Sequence, residues 1–475
     1  MNLLLLLLAS AVINLSSFSP VGDGVTDDTK AFVECFRAAS KSGARRVVIE
    51  PGTYLLSGRQ AVPLSSGMTV VAEGAEFRFP ESLGDMHHRI MFHGRDVQNV
   101  RWRGGFFRGY VFDPDREKNT WEPHANTRAI LFSTSKHGAT RNISVSDVEA
   151  SDLSGAAVTV LGHIEKGIAH RAENIDIRNC SLYRTGIFMW DYGYLWERKT
   201  FPERFGARDA EYVKKYAIHG PDTLKTFWHW WPKGAGPGKG GIDVQAGKNV
   251  IVSGCRMHAC GDAMHISWSR DVVFNGNQIT GARMGAFFIA HFCRDVSITG
   301  NTVDGTGGSR VVSVETDTEN VTIVGNIFRN GGRGSWINQP HNIIIANNIF
   351  ENNTIKCTPE LGKGRLTYHK PGTFERYPEI YFTTSRPGAE YGPVIMRDNI
   401  FTLSEHASLA VAFRNGGRGI IFEDNVFQGA KKNVYVGKHC DMPRMEGNVG
   451  LGDVVREIGD AQSGGGLAEE SWLKK

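Results

Sequence analysis

Two carboxylates stand two residues apart near the middle of the chain, Glu315 and Asp317 in the segment VETDTEN. Alternate residues of one β-strand point to the same side, and their Cα atoms are then about 6.5–7 Å apart. A carboxylic acid and a carboxylate at such a distance can cleave a glycosidic bond, as acid and base or as acid and nucleophile. We predict that Glu315 is the acid and Asp317 the base, with the reverse assignment left open. A solvated acidic turn is the alternative for this segment.

Histidines are the next candidates for proton transfer. His265 and His291 lie in successive copies of a repeated strand, so we expect them to project toward one region, where either could orient a carboxyl group or bond a sugar hydroxyl. A column of polar side chains across consecutive coils is predicted for four residues spaced by 24: Ser267, His291, Glu315 and Gln339. We expect Gln339 to contact the substrate from this column.

An aromatic group is predicted to form one wall of a substrate groove. Asp191, within the tetrapeptide that ends at Gly193, is a third candidate carboxylate and stands where the chain leaves the repeat for an insertion. That insertion contains the run FWHWWP, and sugar rings pack their C–H faces on aromatic planes. The predicted sugar-binding aromatics are Trp190, Tyr192, Trp228, Trp230 and Trp231. A small core within the insertion itself is the alternative.

Charged residues near the same strands complete the candidate site. Arg310 precedes the strand of Glu315 and could neutralise a sugar carboxylate, and Asp243 is expected to bind substrate from a neighbouring coil. No cofactor is predicted, because no compact metal-ligand spacing is present. Calcium held by Asp243, Asp262 and Asp317 is left open as an alternative.

A repeated phrase predicts the elements that position these residues. From Arg141 onward, copies such as NISVSDV and NVTIVGN alternate apolar and polar residues, which is the period of a strand. Each copy is closed by one polar residue, commonly 22 to 26 residues after the last: Cys180, Cys255, Asn277, Asn301, Asn326, Asn348, Asn399 and Asn425. This period fits one coil of a parallel β-helix, in which stacked asparagines bond one another as a ladder.

A second strand in each coil is predicted about ten residues later, in segments such as DAMHISWS, AFFIAHF and RVVSVETD. The fold class is therefore all-β, a single-stranded right-handed parallel β-helix with an N-terminal capping helix and long loop insertions. The helix is predicted after the segment GDGVTDDT, with Thr26 as its N-cap, Phe32 and Phe36 on one face, and Ser42-Gly43 as its stop.

The GDGVTDDT segment, the capping helix and the stretch VVIEPGTYLLSG resemble the N-terminal entry of the pectate-lyase and polygalacturonase superfamily. With the coils, the resemblance covers almost the whole chain. It implies a secreted carbohydrate-active protein. The polygalacturonase motifs are not intact, Cys260-Gly-Asp262 only echoes an Asp-Asp pair, and the Asp-Pro-His motif of alginate epimerases is missing.

Three functions are compatible with these residues. A glycoside hydrolase would use the two carboxylates, and this reading is favoured. A polysaccharide lyase or epimerase would instead draw its base from His265, His291, Tyr192 or Arg310. A non-catalytic carbohydrate-binding β-helix is the third reading.

The composition and the N-terminal segment indicate the expected binding partners and the cellular location. The net charge of +4 on 475 residues gives no reason to expect nucleic acid or a membrane surface, so the expected partner is a polysaccharide, with an acidic or sulfated one left open. Residues 1–17 read as a signal peptide, which predicts a secreted extracellular or periplasmic protein; a membrane anchor is the alternative. Seven cysteines are expected to be mostly buried thiols, with a Cys255–Cys260 bridge left open.

The predicted layout is one domain. A β-helix catalytic domain spans residues 18–450, interrupted by insertions at about 194–240 and 356–392, and a loosely held tail spans residues 451–475. We expect a monomer.

Overall fold

The computed structural model describes most of the predicted solenoid. The described residues are 12–80, 89–109, 127–153, 155–186, 239–282, 285–306, 310–332, 334–354, 378–384, 386, 388–405, 407–429 and 432–457.

The chain is an all-β, right-handed parallel β-helix, which confirms the predicted fold class. In the described residues, the coils stack into three long parallel sheets of 14, 13 and 13 strands. The prediction of two strands per coil is wrong, because the apolar pair after each closing asparagine is a third, short strand of its own. Alternation explains all three sheets, since every second side chain points into a shared interior of Val, Ile and Phe.

The strands of each sheet are given in their hydrogen-bonded order. The first sheet contains Val12–Asn14, Arg46–Val48, Thr69–Val71, Gln98–Arg103, Arg141–Ser146, Ala172–Arg178, Gly247–Ser253, Arg270–Asn275, Arg294–Thr299, Thr318–Val324, Pro340–Ala346, Val394–Arg397, Ile420–Glu423 and Arg444–Glu446. The second sheet contains Asp23–Asp27, Gly52–Leu55, Ala75–Arg78, Phe106–Arg108, Glu149–Leu153, Ser181–Thr185, Arg256–His258, Gln278–Ala282, Thr302–Thr306, Ile327–Arg329, Ile349–Glu351, Ile400–Leu403 and Val426–Gly429. The third sheet contains Val62–Pro63, Arg89–Arg95, Thr127–Ser133, Val158–Leu161, Lys239–Gln245, Asp262–Ser267, Phe287–Ile289, Val312–Val314, Ser335–Asn338, Ile380–Thr383, Val411–Phe413, Val434–Val436 and Val454–Arg456. A small antiparallel pair, His163–Glu165 with Ile168–His170, lies outside these sheets.

The asparagine ladder forms as predicted, at the turn between the first and second sheets. Asn277, Asn301, Asn326, Asn348, Asn399, Asn425 and Asn448 are joined by Nδ2–Oδ1 hydrogen bonds of 2.9–3.0 Å. Each of the first six is at most 1% exposed. Each side-chain oxygen also accepts the backbone N–H of the equivalent residue one coil earlier, as Asn326 does from Asn301 at 2.9 Å and Asn277 from Cys255 at 3.0 Å. The ladder therefore satisfies polar groups that the turn would otherwise bury unpaired.

A second, exposed asparagine ladder begins the first-sheet strands and was not predicted. Asn142, Asn174 and Asn249 each donate an Nδ2 hydrogen bond of 2.7–2.9 Å to the asparagine one coil earlier, starting from Asn99. These residues have left-handed backbone conformations, which asparagine tolerates better than most residues.

The N-terminal helix covers one end of the solenoid. It spans Thr29–Ser42 and ends at Gly43 in the left-handed conformation, as predicted. Phe32 and Phe36 are fully buried against the first coils. The predicted N-cap is wrong: Thr26 lies in the strand Asp23–Asp27, and the residue before the helix is Asp28, whose carboxylate instead accepts the N–H groups of Val21 and Gly22.

Several predicted boundaries move. Val12–Asn14 pairs with the first-sheet strand Arg46–Val48, and the 3-10 helix Leu15–Phe18 buries Leu15 completely, so residues 12–17 belong to the first coil. Ile380–Thr383 is a third-sheet strand inside the predicted second insertion, and Val454–Arg456 pairs with the preceding coil inside the predicted tail.

Two remaining predictions concern disulfide bonds and membrane-spanning helices. The six described cysteines are all free and buried, so Cys255 and Cys260 do not form a bridge. Within the described ranges, no helix is long and apolar enough to cross a membrane.

The buried asparagine ladder predicts that replacing one of its asparagines lowers the free energy of unfolding substantially. Asn326→Ala removes the donor to Ile298 O and Asn348 Oδ1 and the acceptor for Asn301, so we expect the free energy of unfolding in urea to fall by about 3 kcal/mol. Asn275→Ala is the matched control, because Asn275 is exposed at the end of the strand Arg270–Asn275, and the loss there should stay below about 1 kcal/mol. Similar losses for both variants would contradict a dominant role for the buried ladder.

A buried carboxyl group predicts pH-dependent stability. Glu379 is fully buried just before the strand Ile380–Thr383; its Oε1 accepts Asn353 Nδ2 at 2.5 Å, and its Oε2 has no hydrogen-bond partner in the structure as described. Burial raises the pKa of Glu379 from 4.5 to about 7. The folded state thus binds the proton more tightly than the unfolded state does. The associated stability is complete below pH 4.5 and is lost as the pH rises through 7, amounting to about 3 kcal/mol.

Glu379→Gln should remove this dependence, because the amide stays neutral at both pH values. We expect thermal unfolding to show the variant more stable than wild type at pH 8 and close to it at pH 5. Glu351→Gln, at a half-buried carboxylate, serves as the control and should shift the two melting temperatures equally. An unchanged pH profile in Glu379→Gln would refute the assignment.

Candidate active site

The outer face of the third sheet brings several predicted residues into one row. Met264 and Phe287 point inward and fill the core. The side chains that alternate with such inward residues along each strand point outward. Register places five outward residues side by side on consecutive coils: Asp243, His265, Phe288, Ser313 and Trp336. We call these five residues the outer column. Neighbouring members are one coil apart, about 4.8 Å.

Asp243 and His265 form a buried hydrogen-bonded pair within the outer column. His265 Nδ1 lies 2.9 Å from Asp243 Oδ1, and the two residues are only 6% and 1% exposed although they point away from the core. A carboxylate only accepts hydrogen bonds, so Nδ1 carries the proton and Nε2 is the acceptor nitrogen of the neutral ring. The pair therefore has the arrangement of an oriented general base.

A buried guanidinium acts on the same carboxylate. Burial lowers the pKa of Arg128, and the charge of Asp243 opposes that shift. Arg128 is 4% exposed, and arginine stays protonated in proteins. Its positive charge attracts the Asp243 carboxylate that bonds His265.

Aromatic rings flank this pair along the outer column. The half-buried Phe288 ring stacks on His265 with centroids 5.3 Å apart and planes 20° apart. Trp336 lies further along, with the Arg310 Cζ atom 4.1 Å from its ring centroid. Aromatic faces suit sugar rings, and a guanidinium suits a carboxylate. The face can therefore hold a sugar that carries an acidic group.

The structure changes the geometry predicted for Glu315 and Asp317. The strand ends at Val314, and Asp317 adopts a left-handed conformation in the following turn, so the two residues are not alternate members of one strand. Glu315 Oε1 accepts the Ser313 hydroxyl at 2.9 Å. Both oxygens of Asp317 are held by the guanidinium of Arg386, at 2.8 and 3.1 Å. This bidentate ion pair engages both carboxylate oxygens of Asp317.

The predicted 24-residue column does not form, because coil lengths differ. Val314 pairs with Ile289, which aligns Glu315 with Ala290 rather than with His291. Gln339 occupies the same left-handed turn position as Asp317, and its Oε1 accepts a hydrogen bond from Thr384 at 3.2 Å. His291 is exposed after its strand has ended at Ile289, three residues beyond Phe288, the position equivalent to His265. The two histidines are therefore not brought together.

The three carboxylates proposed for calcium are likewise separated. Asp262 starts its strand and accepts the Gly285 N–H at 3.2 Å, while Asp243 bonds His265 and Asp317 bonds Arg386. Among the described residues, no three His, Cys, Asp or Glu side chains are grouped closely enough to hold a metal ion.

The predicted aromatic wall lies outside the described residues, as does its carboxylate: Trp190, Asp191, Tyr192, Trp228, Trp230 and Trp231. The segments 81–88, 110–126, 187–238 and 355–377 are also outside them, and each connects a second-sheet strand to a third-sheet strand. The described residues that flank these segments therefore lie where a second-sheet strand is followed by a third-sheet strand.

Sequence reasoning selected Asp243 and His265 separately and missed their pairing. The available signal was their spacing of 22 residues, one short coil, at outward positions of successive strands. Arg128, Phe288 and Trp336 were also missed. Phe288 and Trp336 stand at outward positions of strand segments that had been recognised, whereas nothing in the repeat pointed to Arg128.

Comparisons with known proteins agree with this architecture. A family model described as a right handed beta helix region matches residues 233–375. This chain is a right-handed parallel β-helix protein. The solved structure of the Azotobacter vinelandii mannuronan C-5 epimerase AlgE6 A-module is similar, with a TM-score of 0.53 and 13% identity over 94% of this β-helix and 100% of that chain.

Two further β-helices are similar to a comparable degree. PfbA, a surface adhesin of Streptococcus pneumoniae, has a TM-score of 0.51 and 14% identity, covering 92% of this chain and 91% of that one. The Dettilon tailspike protein has a TM-score of 0.51 and 13% identity, covering 92% of this chain and 68% of that one. These likenesses agree with the predicted β-helix fold.

The buried pair predicts a stability effect. Asp243→Asn removes the negative charge beside Arg128 and weakens the contact to His265, so we expect a loss of about 3 kcal/mol in the free energy of unfolding. Asp295→Asn is the control, because this exposed side chain accepts one hydrogen bond from Asn320 that an amide oxygen can still accept. It should change stability by at most about 0.5 kcal/mol. Equal, small effects would show that Asp243 carries no buried charge pair.

Proposed function

We propose that this protein is an enzyme that removes a proton from a uronic-acid unit of an acidic polysaccharide, with His265 as the base. The observation that carries the proposal is the buried Asp243–His265 pair on the outward face of the third sheet. Asp243 holds Nδ1–H, so Nε2 accepts the proton and the resulting imidazolium lies against a carboxylate. Arg310, seated on Trp336, is the group that would pair with the sugar carboxylate and stabilise charge that develops on it.

Two products are compatible with this first step. Abstraction of the proton beside the carboxylate leaves an enolate-like anion. If the oxygen at the neighbouring carbon then departs, the chain breaks and an unsaturated sugar forms, which is the lyase outcome. If a proton returns from the opposite face, the sugar is epimerised and the chain stays intact. The fold likeness to a protein named as a mannuronan C-5 epimerase supports this class of chemistry but does not separate the two products.

A glycoside hydrolase, the function that the sequence favours, is the second candidate. Glu315 is half-buried beside the outer column and bonds Ser313, as an acid in the groove would. The hydrolase has weaker support because Arg386 occupies both oxygens of Asp317, its proposed base. A binding protein without catalysis is the third candidate, since an adhesin shares the fold. Secretion remains part of the proposal and would be checked by finding the protein outside the producing cell.

The deciding experiment incubates the protein with mannuronan, polygalacturonate, a sulfated glycan and xylan in D₂O. Each reaction is read for new reducing ends, for ultraviolet absorbance of an unsaturated sugar, and for deuterium at the carbon beside the carboxylate. We expect absorbance or deuterium on a uronic polymer, falling at least 100-fold in His265→Gln because the base is lost. His291→Gln is the matched control, an exposed histidine one coil later, and should keep activity.

The outcomes separate the candidates. Reducing ends without absorbance or deuterium, lost in Glu315→Gln and kept in His265→Gln, would establish the hydrolase instead. Binding of a polymer with no chemical change under any readout would leave a binding protein.

A further inference from the structure

A groove of about 600 Å³ lies on the outer face of the second sheet, away from the outer column. Its outward residues come from two rows of the register. Arg108, Ser151, Tyr183 and His258 follow one another on four consecutive coils, and Arg256 lies in the neighbouring row. Four coils span about 14 Å, and one coil is comparable in length to one sugar unit. We call this surface the second-sheet groove.

The centre of the second-sheet groove is a stack of flat side chains. The Tyr183 and His258 rings are parallel within 5°, with centroids 5.2 Å apart. The guanidinium of Arg184 lies 4.7 Å from the Tyr183 centroid. Thr280 Oγ1 lies 2.8 Å from His258 Nδ1 and fixes that ring. The stack therefore presents ring edges and polar tips, in a fixed order, to anything lying across the coils.

The charges in the groove favour an anion. Asp152 is 5% exposed and lies 2.5 Å from Arg184, so its charge is already paired beneath the surface. Arg108 and Arg256, by contrast, are exposed: Arg108 lies two coils before Tyr183, and Arg256 lies on the same strand as His258. Glu149 is the other carboxylate of the lining. Exposed guanidinium forks bind carboxylates with two parallel hydrogen bonds, which neutral sugars cannot match.

We propose that the second-sheet groove is a second binding site for an acidic oligosaccharide, in which Arg108 and Arg256 hold the carboxylates of uronic-acid units and the Tyr183–His258 stack orders the sugars between them. The proposal takes the class of ligand from the proposed function, and the groove is on a different sheet from His265. Such a site would hold the polymer while another segment of it lies along the outer column, so its contribution grows with chain length.

The test measures binding by calorimetry in the full chain carrying His265→Gln, which prevents turnover by the proposed base. The probes are oligomannuronate and oligogalacturonate hexamers, with xylohexaose as the neutral comparator. The groove variant is Arg108→Ala with Arg256→Ala, and the control is Arg397→Ala, an exposed arginine of the first sheet near Asp398. All three arginines are exposed, so we expect the variants to fold, and circular dichroism and the melting temperature check this.

We expect an acidic hexamer to bind, and the double variant to weaken one binding event at least tenfold while Arg397→Ala leaves it unchanged. Added salt should weaken that event, and xylohexaose should not bind there. Unchanged binding in the double variant, or the lack of any binding by acidic hexamers, would overturn the proposal. Failure of the turnover assay with intact groove binding would instead reject the proposed function alone.

Discussion

Parallel stacking of one coil on the next is the constraint on which this structure depends. No coil can bury its inner residues alone, so each strand must find the same register on the strand before it. The buried asparagines enforce that register at one turn, because from Asn301 onward each side-chain oxygen accepts two hydrogen bonds from the asparagine one coil earlier, as Asn348 does from Asn326. A shift by one residue would break these bonds and turn apolar side chains outward.

The same register creates the candidate site. Outward positions on successive third-sheet strands become neighbours, so residues 22 apart in sequence, Asp243 and His265, come within hydrogen-bond distance. In the solenoid, residues that are one coil apart in sequence thus become neighbours on the surface. Among the described residues, the hairpin His163–Glu165 with Ile168–His170 lies between the third and first sheets, away from the turn that joins the first sheet to the second. That turn therefore keeps the buried asparagines stacked.

The two outward faces differ in how their charges are arranged. On the third sheet, a carboxylate and an imidazole are nearly buried and bonded to each other, which suits proton transfer. On the second sheet, Arg108 and Arg256 are exposed and Asp152 is already paired with Arg184, which suits holding an anionic chain. One fold can therefore present surfaces of different chemistry without changing its backbone.

The sequence by itself determined the solenoid, its coil length, the asparagine ladder and the capping helix, because each of these follows from local alternation, turn chemistry or a repeated polar position. It did not determine the site. The prediction of Glu315 and Asp317 as strand partners failed because the strand ends at Val314, and a distant residue, Arg386, takes both oxygens of Asp317. The column from Ser267 to Gln339 failed because the successive coils are 23, 25 and 23 residues long rather than 24, which moves His291 and Gln339 one position out of line. Only the tertiary structure decides such contacts, since the register between coils depends on turn lengths and cross-coil bonds that no single strand segment encodes.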